Sequence, residues 1–309
     1  MTGNKDYGTI ISCVGGLYTV RKPTGERVRA RAKGAFRYEK STPLAGDTVT
    51  LRREKDSFMI EKICERRNSL VRPPLANVDT LFVSFAAVDP VPNILGIDKL
   101  LCASAAAGIK TAVVITKSDL SGELAAKYEE IYTKAGYPVF VTSSRDGSGV
   151  ERVREYIVSG GSGKIYAFAG ASGIGKSSIM NALFPELSLK TGELSEKISR
   201  GKQTTRTVEL FPFSFAEFSE GETVFVADTP GFSMLEFSAV PGFRKKDLAA
   251  TFPEFARYAC DCRWRDCTHT KDGDCGIIEA VKRGDIAKER HESFLLMYEE
   301  LSAIPEWKQ

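Results

Sequence analysis

The chain has 309 residues, of which 42% are hydrophobic and 27% charged, with a net charge of +3. These are the proportions of an ordinary globular protein, and the length exceeds what one core serves, so two or three domains are expected. The opening MTGNKDYGTI has no basic region leading into an apolar stretch, and the most apolar region, LLCASAAAGIKTAVVIT, is broken by Gly108 and Lys110. The expectation is a soluble, cytoplasmic protein without membrane contact.

Charge is distributed unevenly. Residues 1–72 carry a net +8 and the remainder −5, the pattern of a basic lobe with a polyanion partner, nucleic acid being the commonest. Within that lobe GLYTV, RVRARAK, DTVTLRR and SFMIEKI read as short strands separated by the turn chemistry of KPTGE and TPLAGD. A small barrel is predicted. The five-stranded oligonucleotide-binding (OB) type suits the charge, and an SH3-like barrel fits nearly as well. RRNSLVRPP, charged and ended by proline, reads as a linker.

From Asp79 onward apolar runs suited to buried strands (DTLFVSFAAV, KTAVVIT, PVFVT, KIYAFAG, TVFVAD) alternate with helical stretches such as ELAAKYEEIYTKAG and VERVREYIV. The pattern predicts a doubly wound α/β sheet with its ligand site at the carboxyl ends of the strands. After about Lys245 the chain reads as helical again around a Cys-rich insert.

The stretch from Gly170 through Ala171, Ser172, Gly173, Ile174, Gly175, Lys176 and Ser177 to Ser178 fits G-x-x-x-x-G-K-[ST] between a strand and a helix. Its backbone N–H groups would surround phosphates, Lys176 would neutralise the β- and γ-phosphates, and the Ser177 hydroxyl would bind Mg²⁺. Thr116, Lys117, Ser118 and Asp119 end another apolar strand. There Asp119 would accept both N–H donors of the guanine edge, and Lys117 would lay its stem along the base. Ser143 and Ser144 end the next strand and support the same site. In VADTPGF, Asp228 would hold Mg²⁺ through water and the Gly231 N–H would meet the γ-phosphate. Between these phosphate elements Thr205, with Thr204 as the alternative, would complete the Mg²⁺ shell when GTP is bound.

In the usual GTPase order the phosphate loop comes first and the base-reading motifs last; here the base-reading stretch comes first. The order is that of a circular permutation, which leaves the site intact because strand-end loops converge in space. Phe232 stands where Ras-like enzymes carry a water-orienting Gln, so slow hydrolysis is expected of the isolated protein.

Cys262, Cys267, His269 and Cys275 form C-x4-C-x-H-x5-C, a donor set suited to closed tetrahedral Zn²⁺, with Cys260 as a substitute ligand. His291 reads as an exposed helix residue. Taken together, RRNSLVRP, TKSD, GASGIGKSS, TTR, DTPGF and the Cys/His cluster resemble the ribosome small-subunit-dependent GTPase A (RsgA) family, across essentially the whole chain.

The resemblance implies an α/β multi-domain protein with an RNA-binding OB barrel over residues 1–68. A circularly permuted GTPase domain would follow over 69–240, and a helical zinc domain over 241–309. It also implies a monomer that binds GTP/GDP, Mg²⁺ and one structural Zn²⁺. Such a protein binds the small ribosomal subunit late in assembly, contacts its 16S rRNA, and hydrolyses GTP faster when bound. Thr116 stands where most GTPases have Asn, and Asp272 and Gly273 depart from the family's zinc loop without touching the ligands. An RNA-binding protein with a structural nucleotide is the rival reading. A metabolic P-loop kinase would need an acceptor pocket and lid that the sequence does not show.

Overall fold

The computed structural model describes residues 6–34, 36, 42–55, 57–70, 74–187, 208–228, 243–271 and 273–304. Five strands come first: β1 (Asp6–Val14), β2 (Leu17–Arg21), β3 (Arg27–Ala32), β4 (Thr48–Arg53) and β5 (Phe58–Ile63). They pair in the order β1-β2-β3-β5-β4, and β4 returns to β1. Because β3 pairs with β5 in parallel and not with β4, this closed barrel is of the OB type; an SH3-like meander would run otherwise. Strand β3 shows the alternation that builds it, burying Val28 and Ala30 while Arg27, Arg29 and Arg31 stay exposed.

Strand β1, which sequence patterning did not single out, joins the barrel to the rest of the chain. Its register against β2 shifts between Ile10 and Ser12. Such a bulge re-aims a side chain: Ile10 sits in the barrel core and Ile11 in the core of the following domain.

Within the stretch expected to be a linker, the described residues form a clamp. Strands β6 (Ser69–Leu70) and β7 (Leu75–Ala76) form a short hairpin. Of the two arginines before it, Arg66 holds the barrel's buried Asp47 through Nε and Nη2 at 2.7 and 2.8 Å. Arg67 holds Asp79, at the start of the next domain, at 2.7 and 3.0 Å. Neighbouring charges that look solvated in sequence are thus spent in opposite directions.

The central domain is a sheet of order β10-β9-β8-β11-β13-β12. It comprises β8 (Thr80–Ala86), β9 (Lys110–Thr116), β10 (Val139–Val141), β11 (Ile165–Ala169), β12 (Glu209–Phe213) and β13 (Val224–Asp228), all parallel except β12. Helices α1 (Ile94–Ala106) and α2 (Gly122–Lys134) cover one face, where Leu81, Val83, Val113 and Ile115 cluster. Helices α3 (Val150–Ser159) and α4 (Lys176–Leu183) cover the other, against Phe82, Ala112, Val114 and Phe168. Alternate residues of one strand therefore serve opposite layers, as double winding requires. The antiparallel β12 carries the sheet into the barrel, with Ser12 of β1 facing Glu209 and Glu209 facing Asp228.

Beyond it the chain forms successive 3-10 turns between Lys245 and Asp261, then α5 (Gly276–Arg283) and α6 (Lys288–Ala303). The expected return to helix is therefore delayed. Helix α6 packs on α1 around Arg290, which is fully buried and ion-paired to Asp98 of α1 and to Glu254.

Candidate nucleotide site and metal centre

The strand register brings the motifs together. Ala86 lies opposite Thr116, Ile115 opposite Val141, and Phe168 opposite Asp228. The ends of β8, β9, β10, β11 and β13 therefore line one edge of the sheet, whatever their order along the chain.

At that edge β11 runs into the loop Gly170–Gly175, and α4 starts at Lys176. Gly170 is required by close approach: a Cβ there would lie 2.1 Å from the Ser84 carbonyl oxygen and 2.6 Å from Ile174 Cδ1. Gly173 and Gly175 adopt φ of 79° and 94°, the left-handed conformations that let consecutive N–H groups face one anion. Ser172 and Gly173 are exposed, Ala171, Ser177 and Ser178 half-buried. The Lys176 ammonium folds back on its own loop, donating to the Gly170 and Ala171 carbonyls at 2.8 Å each.

The Thr116–Asp119 stretch starts on the last residue of β9. Thr116 is buried, and its hydroxyl lies against the carbonyls of Ile174 and Phe85. Lys117 takes a left-handed conformation with φ of 55°, a backbone cost of the kind that collects at functional sites. Its Nζ donates to the Asp89 carbonyl at 2.6 Å, and its Cε passes 3.9 Å from where a Cβ on Gly175 would stand. The lysine stem thus lies between the base strand and the phosphate loop. The Ser118 N–H bonds the Thr142 carbonyl at 3.2 Å, holding the two loops together. Ser143 is buried, its Oγ accepting from the Arg145 N–H at 3.2 Å, whereas Ser144 is exposed.

Two features here escaped sequence reasoning. The Arg145 guanidinium stands 3.9 Å from the Asp119 carboxylate, and its signal was its place directly after Ser143–Ser144. The Asp89 carbonyl has no sequence signature at all, being a backbone atom presented by the loop after β8. Asp228 ends β13 as expected, while Thr204, Thr205 and Gly231 lie outside the described residues.

In the C-terminal domain Cys262, Cys267, His269 and Cys275 bring their ligand atoms within 4.8 Å of one another. Cys262 Sγ lies 3.9 Å from Cys275 Sγ, and His269 Nδ1 lies 3.6 and 3.5 Å from the two sulfurs. A tetrahedral zinc site has S–S edges of about 3.8 Å and S–N edges of about 3.6 Å, so the donors fit that ion. Cys260, the proposed substitute, is exposed and turned to the Arg257 carbonyl, outside this group. His291 is not the exposed residue expected: it is half-buried, and its Nε2 donates to the His269 carbonyl at 2.9 Å, bracing the loop that carries a donor.

Comparison with known proteins bears on the whole chain. Residues 63–238 match the RsgA GTPase family and residues 7–58 the RsgA N-terminal domain. A "Small ribosomal subunit biogenesis GTPase RsgA" of Bacillus velezensis is 38% identical over 302 residues, covering 95% of this chain and 97% of that protein. The crystal structure of YjeQ from Thermotoga maritima superposes with a TM-score of 0.79 at 33% identity, covering 97% of this chain and 100% of that one. That of YloQ, described as a circularly permuted GTPase, gives 0.74 at 31% identity and 98% of both. A phosphate loop and a base-reading loop joined at one sheet edge in permuted order, a basic OB barrel and these similarities lead to one conclusion: the chain belongs to the RsgA GTPase family.

Proposed function

We propose that this GTPase acts on the small ribosomal subunit during its biogenesis, gripping ribosomal RNA with the barrel and hydrolysing GTP at the β9–β11 edge. The observation that carries the reading is the continuity of the sheet. Strand β13, which ends at Asp228, is linked through β12 to β1 of the basic barrel, so the nucleotide site and the RNA-facing lobe share one ladder. The relatives' name, small ribosomal subunit biogenesis GTPase, supplies the partner. The 16S rRNA is the polyanion that suits the +8 lobe. A division at residues 68 and 240 serves as the working boundary between lobes.

Asp119 accepts the guanine N–H donors while the Lys117 stem covers one face of the base. The Lys176 ammonium exchanges the Gly170 and Ala171 carbonyls for the β- and γ-phosphates, meeting charge that grows in the transition state. Ser177 and Asp228, with Thr205, are oxygen donors of the type Mg²⁺ takes, and the ion would neutralise phosphate charge there. The Gly231 N–H meets the γ-phosphate. Zinc on Cys262, Cys267, His269 and Cys275 would hold the C-terminal domain closed. Among the described residues no helix is long and apolar enough to cross a membrane, and a monomer in the cytoplasm suits the proposed partner.

The test is steady-state GTP hydrolysis at fixed Mg²⁺, without addition, with small subunits and with large subunits. Slow turnover alone and stimulation by small subunits only is the expected result. Equal response to both subunits, or none, would point instead to an RNA-binding protein with a structural nucleotide. Lys176→Ala should lower turnover at least ~100-fold, and unchanged turnover would place the reaction elsewhere.

A further inference from the structure

We infer that Thr116 is a strut for the phosphate loop and not a reader of the base, so that guanine N7 receives no hydrogen bond from this position. The inference rests on the guanine reading given above. Thr116 is 1% exposed, and its hydroxyl lies between two backbone carbonyls, donating to that of Ile174 with that of Phe85 at 3.2 Å. A hydroxyl has one proton. Committed to a carbonyl in the interior, that proton is not available to a ring nitrogen in the pocket. The Asn that most GTPases carry here has two N–H donors and could serve a carbonyl and a ring nitrogen at once. Threonine has none to spare.

What the bond does for the phosphate loop follows from peptide geometry. Asp89–Pro90 is the one cis peptide among the described residues, so the bond joining Ile174 to Gly175 is trans. In a trans peptide the C=O and the following N–H point in opposite directions. Holding the Ile174 carbonyl toward β9 therefore turns the Gly175 N–H away from β9. There it joins the left-handed Gly173 and Gly175 backbone as a donor for an anion. The link spans 58 residues of sequence and fastens the strand that reads the base to the loop that holds the phosphates. Base selectivity is left to Asp119 and the Lys117 stem.

Competition binding to the full-length protein tests this with GDP, 7-deaza-GDP, which carries CH in place of N7, IDP, which lacks the 2-amino group, and ADP. The 7-deaza compound should bind within about twofold of GDP, and IDP about tenfold or more weaker. A tenfold loss with 7-deaza-GDP overturns the inference. Failure to prefer GDP over ADP overturns the guanine reading, and the inference with it, by a different pattern.

Thr116→Val keeps the shape and removes the hydroxyl. It should weaken GDP and 7-deaza-GDP equally, by about tenfold, with Thr116→Ser restoring both. Thr116→Asn should create a preference for GDP over its 7-deaza analogue. Undiminished GDP affinity in Thr116→Val removes the strut. Should that variant not fold, the wild-type ratio and the Ser and Asn variants still decide.

Discussion

At the scale of single residues, the proposed site divides its labour between side chains that would meet the nucleotide and side chains that hold those in place. Under the proposed function Asp119 belongs to the first kind. Its carboxylate would offer two acceptors to the two N–H donors of guanine, with the Arg145 guanidinium 3.9 Å away. Asp119→Asn replaces one acceptor with a donor. The amide then mismatches guanine and matches xanthine, whose C2 bears a carbonyl. The variant should lose ~100-fold or more in GDP affinity and prefer XDP, as competition binding would show; retention of GDP would mean the base is read elsewhere. The stretches that the fold brings together were legible in sequence because the Gly170–Ser178 loop, the Thr116–Asp119 stretch and the Cys/His cluster are local spacings. Their supports were not: Thr116 to Ile174, Lys117 to Asp89 and His291 to His269 join distant positions through backbone carbonyls, which leave no residue type to recognise.

At the scale of elements, two short features decide how the lobes meet. Asp79 directly precedes β8 and receives Arg67, Lys164 and the Ile165 N–H. Burial pushes its carboxyl up, but the hydrogen bonds from Arg67 and Ile165 outweigh burial and hold it below the usual value. A depressed carboxylate contributes stability above its unfolded pKa, about 3.9, and loses it as pH falls through the lower folded value. Thermal melts from about pH 5 downward should show this loss, and Asp79→Asn should flatten that part of the profile; an identical slope would remove Asp79 from the clamp.

The bulge at Ile11 is the second feature. Ile11→Ala would open a cavity where barrel meets sheet and cost about 2–5 kcal/mol in denaturant unfolding. Small-subunit stimulation should fall with it, while GDP affinity at the far edge holds. Sequence patterning found the four barrel strands that alternate regularly. It passed over β1, whose bulge breaks the period, and over β12, which is read only by its neighbours.

At the scale of the whole molecule, the C-terminal domain is fixed to the base-reading half of the sheet through Arg290. Its guanidinium, held well above the usual value by Asp98 and Glu254 against the penalty of burial, joins α6 to α1 in a fully buried position. Arg290→Met would leave two carboxylates buried without a counter-charge, and about 3–5 kcal/mol of stability should be lost. Replacing Asp98 and Glu254 by apolar residues in the same protein should recover much of it. Faster protease cleavage between residues 243 and 304 in the single variant, reversed in the triple, is the readout; a single variant as stable as the parent would mean the domains are held by apolar contacts alone. Domain order and fold class were legible from composition and motif order. This anchor was not, because its outermost charges, Asp98 and Arg290, lie 192 residues apart.

The sheet order also dictates a timetable. As the chain emerges during its own synthesis, β8, β9 and β10 can pair at once, since all three precede the phosphate loop. The far edge of β8, buried in the finished protein, then waits uncovered for β11. An apolar strand with an open edge invites association with other nascent chains, and nucleotide cannot shield it, because the loop that grips phosphate arrives on the very strand that closes the gap. In this order the open edge falls in the first half of translation, where the barrel, with its own core, already precedes it in the chain.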